Sequence, residues 1–291
     1  MGGGLLKCRA AEGREFPVKN HVVENYENYK EEDRLTANNA RKIEFVNTIK
    51  VLNEHIRQKS KILDCAAGTG IYAFHFAGQG HQVTATDITP RHIALIKQKM
   101  AAAGSSKKGQ SDSEHLMSTA VLDATDMSIF ADETFDVVLN MGPYYHLVKE
   151  EQREKCISEC IRVLKRGGLL VTAYIPRFYV FQHAALSDPK YLDGALARQI
   201  IETGELRHDD EKCFWTDTYY ASKEEMEKVY LQYDLKIVDH FAQDGMAPLL
   251  SQTVDKWSEE EFEIWCSYHY SVCREQSILG ASNHVIIIGE K

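Results

Sequence analysis

Between residues 60 and 175 short apolar runs alternate with stretches whose apolar positions recur at helical spacing. Ile62-Leu63 ends in Asp64. Small residues then lead through Gly68-Thr69-Gly70 into a helical stretch that stops near Ala77 and the Gly78/Gly80 pair. Gln82–Asp87 reads as the next strand, and Thr89-Pro90 supplies an N-cap and a first-turn proline for a helix marked by Ile93, Ile96 and Met100. Leu116–Val121 is a third strand. Phe135–Met141, apolar on both faces, is a fourth. Cys156, Ile157, Cys160, Ile161 and Leu164 form one helical stripe, which Lys165-Arg166-Gly167-Gly168 is expected to close before a fifth strand at Leu169–Tyr174. Strand and helix in alternation imply an α/β fold with a parallel, doubly wound sheet.

The flanks break that rhythm. Residues 1–16 show no periodicity and read as a disordered leader, and residues 101–114 as a flexible surface loop. Residues 17–58 hold a polar segment with Tyr26, Tyr29 and Arg34, then helical periodicity through Ile43, Phe45, Val46, Ile49, Leu52 and Ile56. This region is either a solvated helix packed on the sheet or a helical cap turned inward over a ligand. Beyond Pro176, residues 177–225 are aromatic-rich and aperiodic. A helix over 223–232, a strand over 235–241, a helix over 258–273 and a last strand over 284–289 follow. The expected whole is one domain over 17–291. Its sheet has seven strands, mostly parallel with an antiparallel final strand, and insertions at 177–225 and 242–282 follow the fifth and sixth strands.

Composition narrows the classes. The 291 residues are 44% hydrophobic, enough for a sizeable core. A net charge of −9 argues against nucleic acid as the main partner, which would require clustered Lys and Arg. No run of ~18 apolar residues is present, so no membrane span is expected. The seven cysteines form no C-x-x-C pair, and Cys156 and Cys160 lie on an apolar stripe, so they read as core residues and no metal site is expected. Reduced thiols without a secretory segment place the protein in the cytoplasm.

The chemistry gathers at strand ends. Gly68-Thr69-Gly70-Ile71-Tyr72-Ala73 fits the dinucleotide pattern G-x-G-x-x-G/A, a weak signal when alone. Asp64, Asp87 and Asp123 each end or follow a strand, on the edge where open α/β sheets bind ligands. Three carboxylates and a glycine turn suit a ligand with hydroxyls and an exocyclic amine but no phosphate; NAD would use Asp87 too, with a pyrophosphate at the helix N-terminus.

With these residues the stretch 60–175 resembles the class I, Rossmann-like S-adenosylmethionine-dependent methyltransferases. Leu63-Asp64-Cys65-Ala66-Ala67-Gly68-Thr69-Gly70 is similar to their acidic-x-Gly-x-Gly-x-Gly motif, with Ala66 in place of the first glycine. The resemblance implies S-adenosylmethionine as cofactor. Asp64, Ala66, Gly68 and Gly70 would surround its methionine part and Asp87 would take the ribose hydroxyls. Asp123 would accept from the adenine amine while the Ala124 N–H meets the ring. Ile88, Asn140 and, from the cap, Tyr29 complete the expected donor contacts. Phe135-Asp136-Val137-Val138 and Leu164-Lys165-Arg166-Gly167-Gly168 fit later landmarks of the family.

The acceptor side is less defined. Asn140-Met141-Gly142-Pro143-Tyr144-Tyr145-His146-Leu147 echoes the Asn-Pro-Pro-Tyr motif of adenine amino-group methyltransferases, but its spacing is wrong. It is closer to the Gly-Pro-x-Tyr-His-Leu run of uncharacterised bacterial small-molecule members. Tyr145 and His146 are the candidate catalytic residues, as base or acceptor contacts, with local packing as the alternative. Aromatic residues of the two insertions, among them Tyr179, Trp215, Tyr220 and Trp265, would build the acceptor pocket. The expected activity is methyl transfer to a small molecule by in-line displacement. The competing readings are an RNA- or protein-modifying methyltransferase and a non-catalytic, cofactor-binding regulatory protein.

Overall fold

Alternation on this scale folds as a layered sandwich, and the structure, a computed structural model, describes it for residues 21–29, 31–106 and 117–291. The leader at 1–16 lies outside the described residues. Two helices, α1 (His21–Asn28) and α2 (Asn39–His55), precede the sheet. The repeat then runs β1 (Lys61–Asp64), α3 (Ile71–Gly78), β2 (Gln82–Asp87), α4 (Pro90–Ser106), β3 (Met117–Val121) and β4 (Phe135–Asn140). A single turn, α5 (Pro143–His146), leads to α6 (Glu150–Val163) and β5 (Leu164–Tyr174). The first insertion holds α7 (Arg177–Ser187), α8 (Gly194–Thr203) and a two-stranded ribbon of β6 (Glu205–Leu206) and β7 (Thr218–Tyr219). Then come α9 (Lys223–Gln232), β8 (Lys236–Ala242), α10 (Ser251–Val254), α11 (Glu259–Val272), α12 (Gln276–Leu279) and β9 (Val285–Glu290).

The main sheet has seven strands in the order β3-β2-β1-β4-β5-β9-β8. Every pair from β3 through β5 is parallel, while β9 runs antiparallel to both β5 and β8. The chain turns from β1–β3 on one side to β4 on the other, so the carboxyl ends of β1, β2 and β4 flank the switch point where ligands bind in such sheets. The centre is dry: Val138 and Leu139 of β4, Val171 of β5 and Val285–Ile288 of β9 are fully buried. Burial of each such side chain contributes roughly 1.5–3 kcal/mol.

Three expectations require correction. Lys165-Arg166-Gly167-Gly168 does not cap a helix: α6 stops at Val163 and β5 begins at once. Gly167 sits at φ +71° beside a register shift against β4, and the ladder continues as Gly167 N–H donates to Lys291 O and Lys291 N–H to Gly168 O. A Cβ at Gly168 would lie 2.8–2.9 Å from Leu164, Lys165 O and Asp136 O, so that glycine serves a crowded bulge. Secondly, residues 177–225 are not without regular structure, since they form α7, α8 and the ribbon. Thirdly, α4 carries on through Ala101-Ala102-Ala103 to Ser106, as good helix formers allow, while residues 107–116 lie outside the described residues.

Helix α2 buries Ile43, Ile49 and Leu52 as its periodicity predicts, but Phe45 and Val46 are only half-buried, and three polar residues, Glu44, Asn47 and Thr48, share the inner stripe with Ala40 and Val51. Each has a partner there: Asn47 Nδ2 donates to Ala242 O (2.9 Å), and Gln243 Nε2 donates to Thr48 Oγ1 (2.8 Å). The start of α2 is bound to the second insertion through Ala40 N–H to Asp255 Oδ1 (2.8 Å) and a small apolar cluster of Ala40, Ile43, Ala247, Val254 and Phe262. Among the described residues no helix is long and apolar enough to cross a membrane.

Candidate active site

The turn after β1 is closed by its own backbone. Ala67 N–H donates to Thr86 O (2.9 Å), and Gly70 N–H to Ala67 O (2.8 Å). Gly68 adopts φ +52°, which favours glycine, and its N–H donates to Asp87 Oδ2 (2.8 Å). Asp87 Oδ1 accepts from Thr89 N–H (2.8 Å), so the second aspartate is oriented by both neighbouring loops. His92 is buried beside it, with Nδ1 3.3 Å from Asp87 Oδ1 but not aligned for a hydrogen bond. Asp64 is 1% exposed and its Oδ2 has no partner. Burial, and then the charge of Asp87, push its carboxyl up to about 7. Asp123 Oδ1 is held by Thr125 N–H (2.8 Å) and its hydroxyl (2.9 Å).

The cap lies over this edge. Arg34 Nε donates to Glu31 Oε1 (2.8 Å), and its two terminal nitrogens donate to the two oxygens of Glu44 (2.8 and 3.0 Å). A Cβ on Gly68 would lie 3.5 Å from Glu31 Cγ, which puts this carboxylate against the glycine turn. Arg91 of α4 fastens the cap further, donating to Tyr29 O (2.8 Å) and Glu32 Oε1 (2.6 Å).

Behind Arg34 the charges continue inward. His284 Nδ1 lies 3.4 Å from Glu44 Oε2 and 3.5 Å from Asp244 Oδ2. Burial alone would lower the His284 imidazole, but the two carboxylates outweigh it and push it up to about 9. Burial likewise opposes ionisation of Glu44, yet Arg34 and His284 hold it well below the usual carboxylate range. Glu44, Asp244 and His284 bring ligand atoms within 4.8 Å of one another, a spacing a metal ion could bridge. The positive charge balancing these carboxylates comes from Arg34 and His284, and Asp244 Oδ1 also takes the Ser282 hydroxyl (2.8 Å) and Asn283 N–H (2.9 Å).

On the far side α5 presents Tyr145 and His146. His146 Nδ1 lies 3.1 Å from Asp217 O, and its Nε2 3.0 Å from the Tyr26 hydroxyl. A carbonyl only accepts, so Nδ1 carries the proton and Nε2 accepts from Tyr26. Burial pushes the imidazole down to about 4, so it stands neutral at pH 7. Trp215 packs edge-on at 4.8 Å from the His146 ring. Burial pushes the Tyr145 phenol well up.

One cavity of about 990 Å³ joins these groups. Asp64, Ala66, Gly68, Asp87 and Ile88 line one part; Asp123, Ala124 and Tyr29 extend it; Tyr145 and His146 line the other part with Trp215 and His284. Two expected donor residues do not reach it. Gly70 acts behind the wall, at φ +90° with no room for a Cβ between Phe74 and Ile96 (3.0 Å each). Asn140 is fully buried, its Oδ1 4.0 Å from the Sγ atoms of Cys65 and Cys156. Sequence reasoning missed Glu31, Glu44, Arg41, His92 and His284. For His284 alone there was a signal, its place next to the last strand beside the sheet's binding edge.

The residues at this edge fit the chemistry of the methyl donor. Among the described residues Asp64 Oδ2 is a buried acceptor with no donor, the Gly68 turn lines the cavity, and Asp87 is held at the end of β2. A family model described as a methyltransferase domain matches residues 63–172. A glycine/sarcosine N-methyltransferase of Aphanothece halophytica is 27% identical over 164 residues, covering 52% of this chain and 57% of that protein. One of the same description from Parasynechococcus marenigrum is 29% identical over 141 residues, 48% of this chain and 46% of that one. The chain thus spans about half the length of these curated relatives. Among solved structures, an S-adenosylmethionine-dependent methyltransferase of Methanosarcina mazei superposes with a TM-score of 0.55 at 18% identity, over 83% of this chain and 96% of that one. Motif, topology and family match converge on one conclusion: residues 63–172 form a methyltransferase domain of the S-adenosylmethionine-dependent kind on a Rossmann-like sheet.

Proposed function

We propose that the protein transfers the methyl group of S-adenosylmethionine to a small-molecule acceptor bound in the same cavity. The observation that carries this reading is the continuity of that cavity from the Asp64–Asp87–Asp123 edge to the α5 turn, beneath a cap fastened by Arg34 and Arg91. Its volume lies at the upper end of the range for small-ligand sites, which suits a donor and a modest acceptor together. A deep cavity beneath a cap favours a small molecule over an RNA or protein surface. The two relatives are described as acting on glycine and sarcosine, which supports an amine as nucleophile. The six cysteines among the described residues are unpaired, which supports a cytoplasmic setting.

The cofactor supplies an activated methyl group, so the chain's own residues chiefly align and exclude water. Asp87 holds the ribose hydroxyls, and Asp123 and Ala124 the adenine. Asp64 and Glu31 face the positively charged methionine end. The cap, α1 and α2 with the turn between them, covers the site, with Tyr26 and Tyr29 on the cavity wall. On the acceptor side Tyr145 and Trp215 confine the nucleophile. Neutral His146 accepts from the Tyr26 hydroxyl at Nε2 and fixes the orientation of that hydroxyl on the cavity wall.

The test is incubation with methyl-labelled S-adenosylmethionine and either simple amines, including glycine and sarcosine, or size-fractionated cell extract. Label is expected in low-molecular-weight product. Label in RNA or protein alone would overturn the acceptor reading.

A further inference from the structure

The far end of the cavity, away from the donor edge, is lined by Arg41 of α2, His183 of α7 and His284 before β9. Three observations distinguish it. Arg41 projects from the first turn of α2, and among the described residues its guanidinium has neither a carboxylate nor a hydrogen-bond partner. Arg34, by contrast, is committed to Glu31 and Glu44. His284 is 8% exposed, and its Nδ1 side is occupied by Asn283 Nδ2 (2.8 Å) with Glu44 and Asp244 close by. Among the described residues its Nε2 has no partner, and the residue lines the cavity. His183, stacked on Tyr179 at 5.7 Å, also has no hydrogen-bond partner among the described residues. Arg41 and His284 both lie near enough to His183 for their charges to act on it; burial first, and then Arg41, push its imidazole down.

An unpaired guanidinium fork beside two idle imidazole edges is a set of donors awaiting an anion. Resting on the reading of the cavity as a methyl-transfer site, we propose that this end is a carboxylate subsite. The acceptor enters as a carboxylic acid anion held by Arg41, with the ring N–H groups of His284 and His183 completing its contacts and its nucleophile directed back toward Tyr145. Arg41 and Glu44 lie on one helix, so the same α2 turn that closes the cap would also deliver the anion-binding cation. Acceptor binding and cap closure are thereby coupled.

The experiment is calorimetric titration of the protein saturated with S-adenosylhomocysteine, using matched carboxylate and amide probes: sarcosine against sarcosinamide, and phenylacetate against phenylacetamide. At least one carboxylate is expected to bind about tenfold tighter than its amide. In Arg41→Gln that preference should fall below about twofold, with Arg41→Lys restoring part of it, while S-adenosylhomocysteine affinity changes less than about twofold. Among the described residues the Arg41 side chain makes no hydrogen bond or ion pair, so the variant tests recognition more than folding. Equal binding of both members of each pair, absence of carboxylate binding, or a preference that survives Arg41→Gln would overturn the subsite while leaving the donor reading intact. Failure of S-adenosylhomocysteine itself to bind would overturn the donor reading first.

Discussion

Asp64 is the residue on whose charge the donor site most depends. Its carboxyl, pushed up to about 7 by burial and by Asp87, is largely protonated under mildly acidic conditions. A cationic donor favours the ionised form, so binding below pH 7 must release a proton, and affinity should fall toward tenfold per pH unit there. Calorimetry with S-adenosylmethionine at about pH 5.5, 6.5 and 7.5 checks this, and Asp64→Asn should flatten the dependence. The histidines act on stability in opposite directions. His146, held at about 4 against an ordinary 6.5, contributes stability above pH 6.5 that is lost as pH falls toward 4. His284, held at about 9, contributes fully below pH 6.5 and loses its contribution as pH rises through 9. Thermal unfolding across that range should therefore show His284→Asn flattening the alkaline limb only. His146→Ala should lower turnover with donor affinity unchanged, and full retained turnover would confine His146 to packing.

The same residues show where sequence reading stops. Asp64, Asp87 and Asp123 were legible because each ends or follows an apolar run, and a strand end has one position relative to a parallel sheet. Glu44 was not. On a helix a glutamate signals a solvated face, and only the arrival of Arg34 and His284 from distant segments makes its burial tolerable. Removing Arg34 should accordingly cost about 3 kcal/mol, because Glu44 would lose its bidentate partner while remaining buried. Urea unfolding of Arg34→Met measures it, and a loss under about 1 kcal/mol would mean that His284 alone suffices.

At the scale of elements, those with one apolar face were read correctly and those without were not. Helix α6 and the late helix α11 showed their stripe or their Ser258 capping box. Helix α7 carries Phe178-Tyr179-Val180-Phe181 in succession, so no period stands out, although Tyr179 and Val180 are buried and Phe178 is exposed. Helix α8 did carry signals, Asp193 as N-cap and Gly204 as its αL terminus. Gly204 has φ +68°, and a Cβ there would approach Tyr220 O to 2.4 Å and Arg177 Nη2 to 2.8 Å. Gly204→Ala should thus cost about 2 kcal/mol and disturb the β6–β7 ribbon that carries Asp217 and Trp215 beside His146. Chemical denaturation gives the first effect. A fall in turnover larger than the change in donor affinity gives the second.

At the scale of the molecule, the strand order emerged only in the structure, while the seven-stranded, mostly parallel sheet with its antiparallel last strand was legible from the alternation of strand and helix. The cap and the two insertions were not, because they meet only in three dimensions, where α2 packs on Ala247, Val254 and Phe262 and its charges meet His284. That meeting turns the strand-end edge into a capped cavity. The central claim is that this cavity holds the methyl donor, and direct titration of the purified protein with S-adenosylhomocysteine and, separately, NAD tests it most directly. The account predicts saturable one-site binding of S-adenosylhomocysteine, strongly weakened in Asp87→Ala, and none of NAD. Preference for NAD, or unchanged S-adenosylhomocysteine affinity in Asp87→Ala, would contradict it.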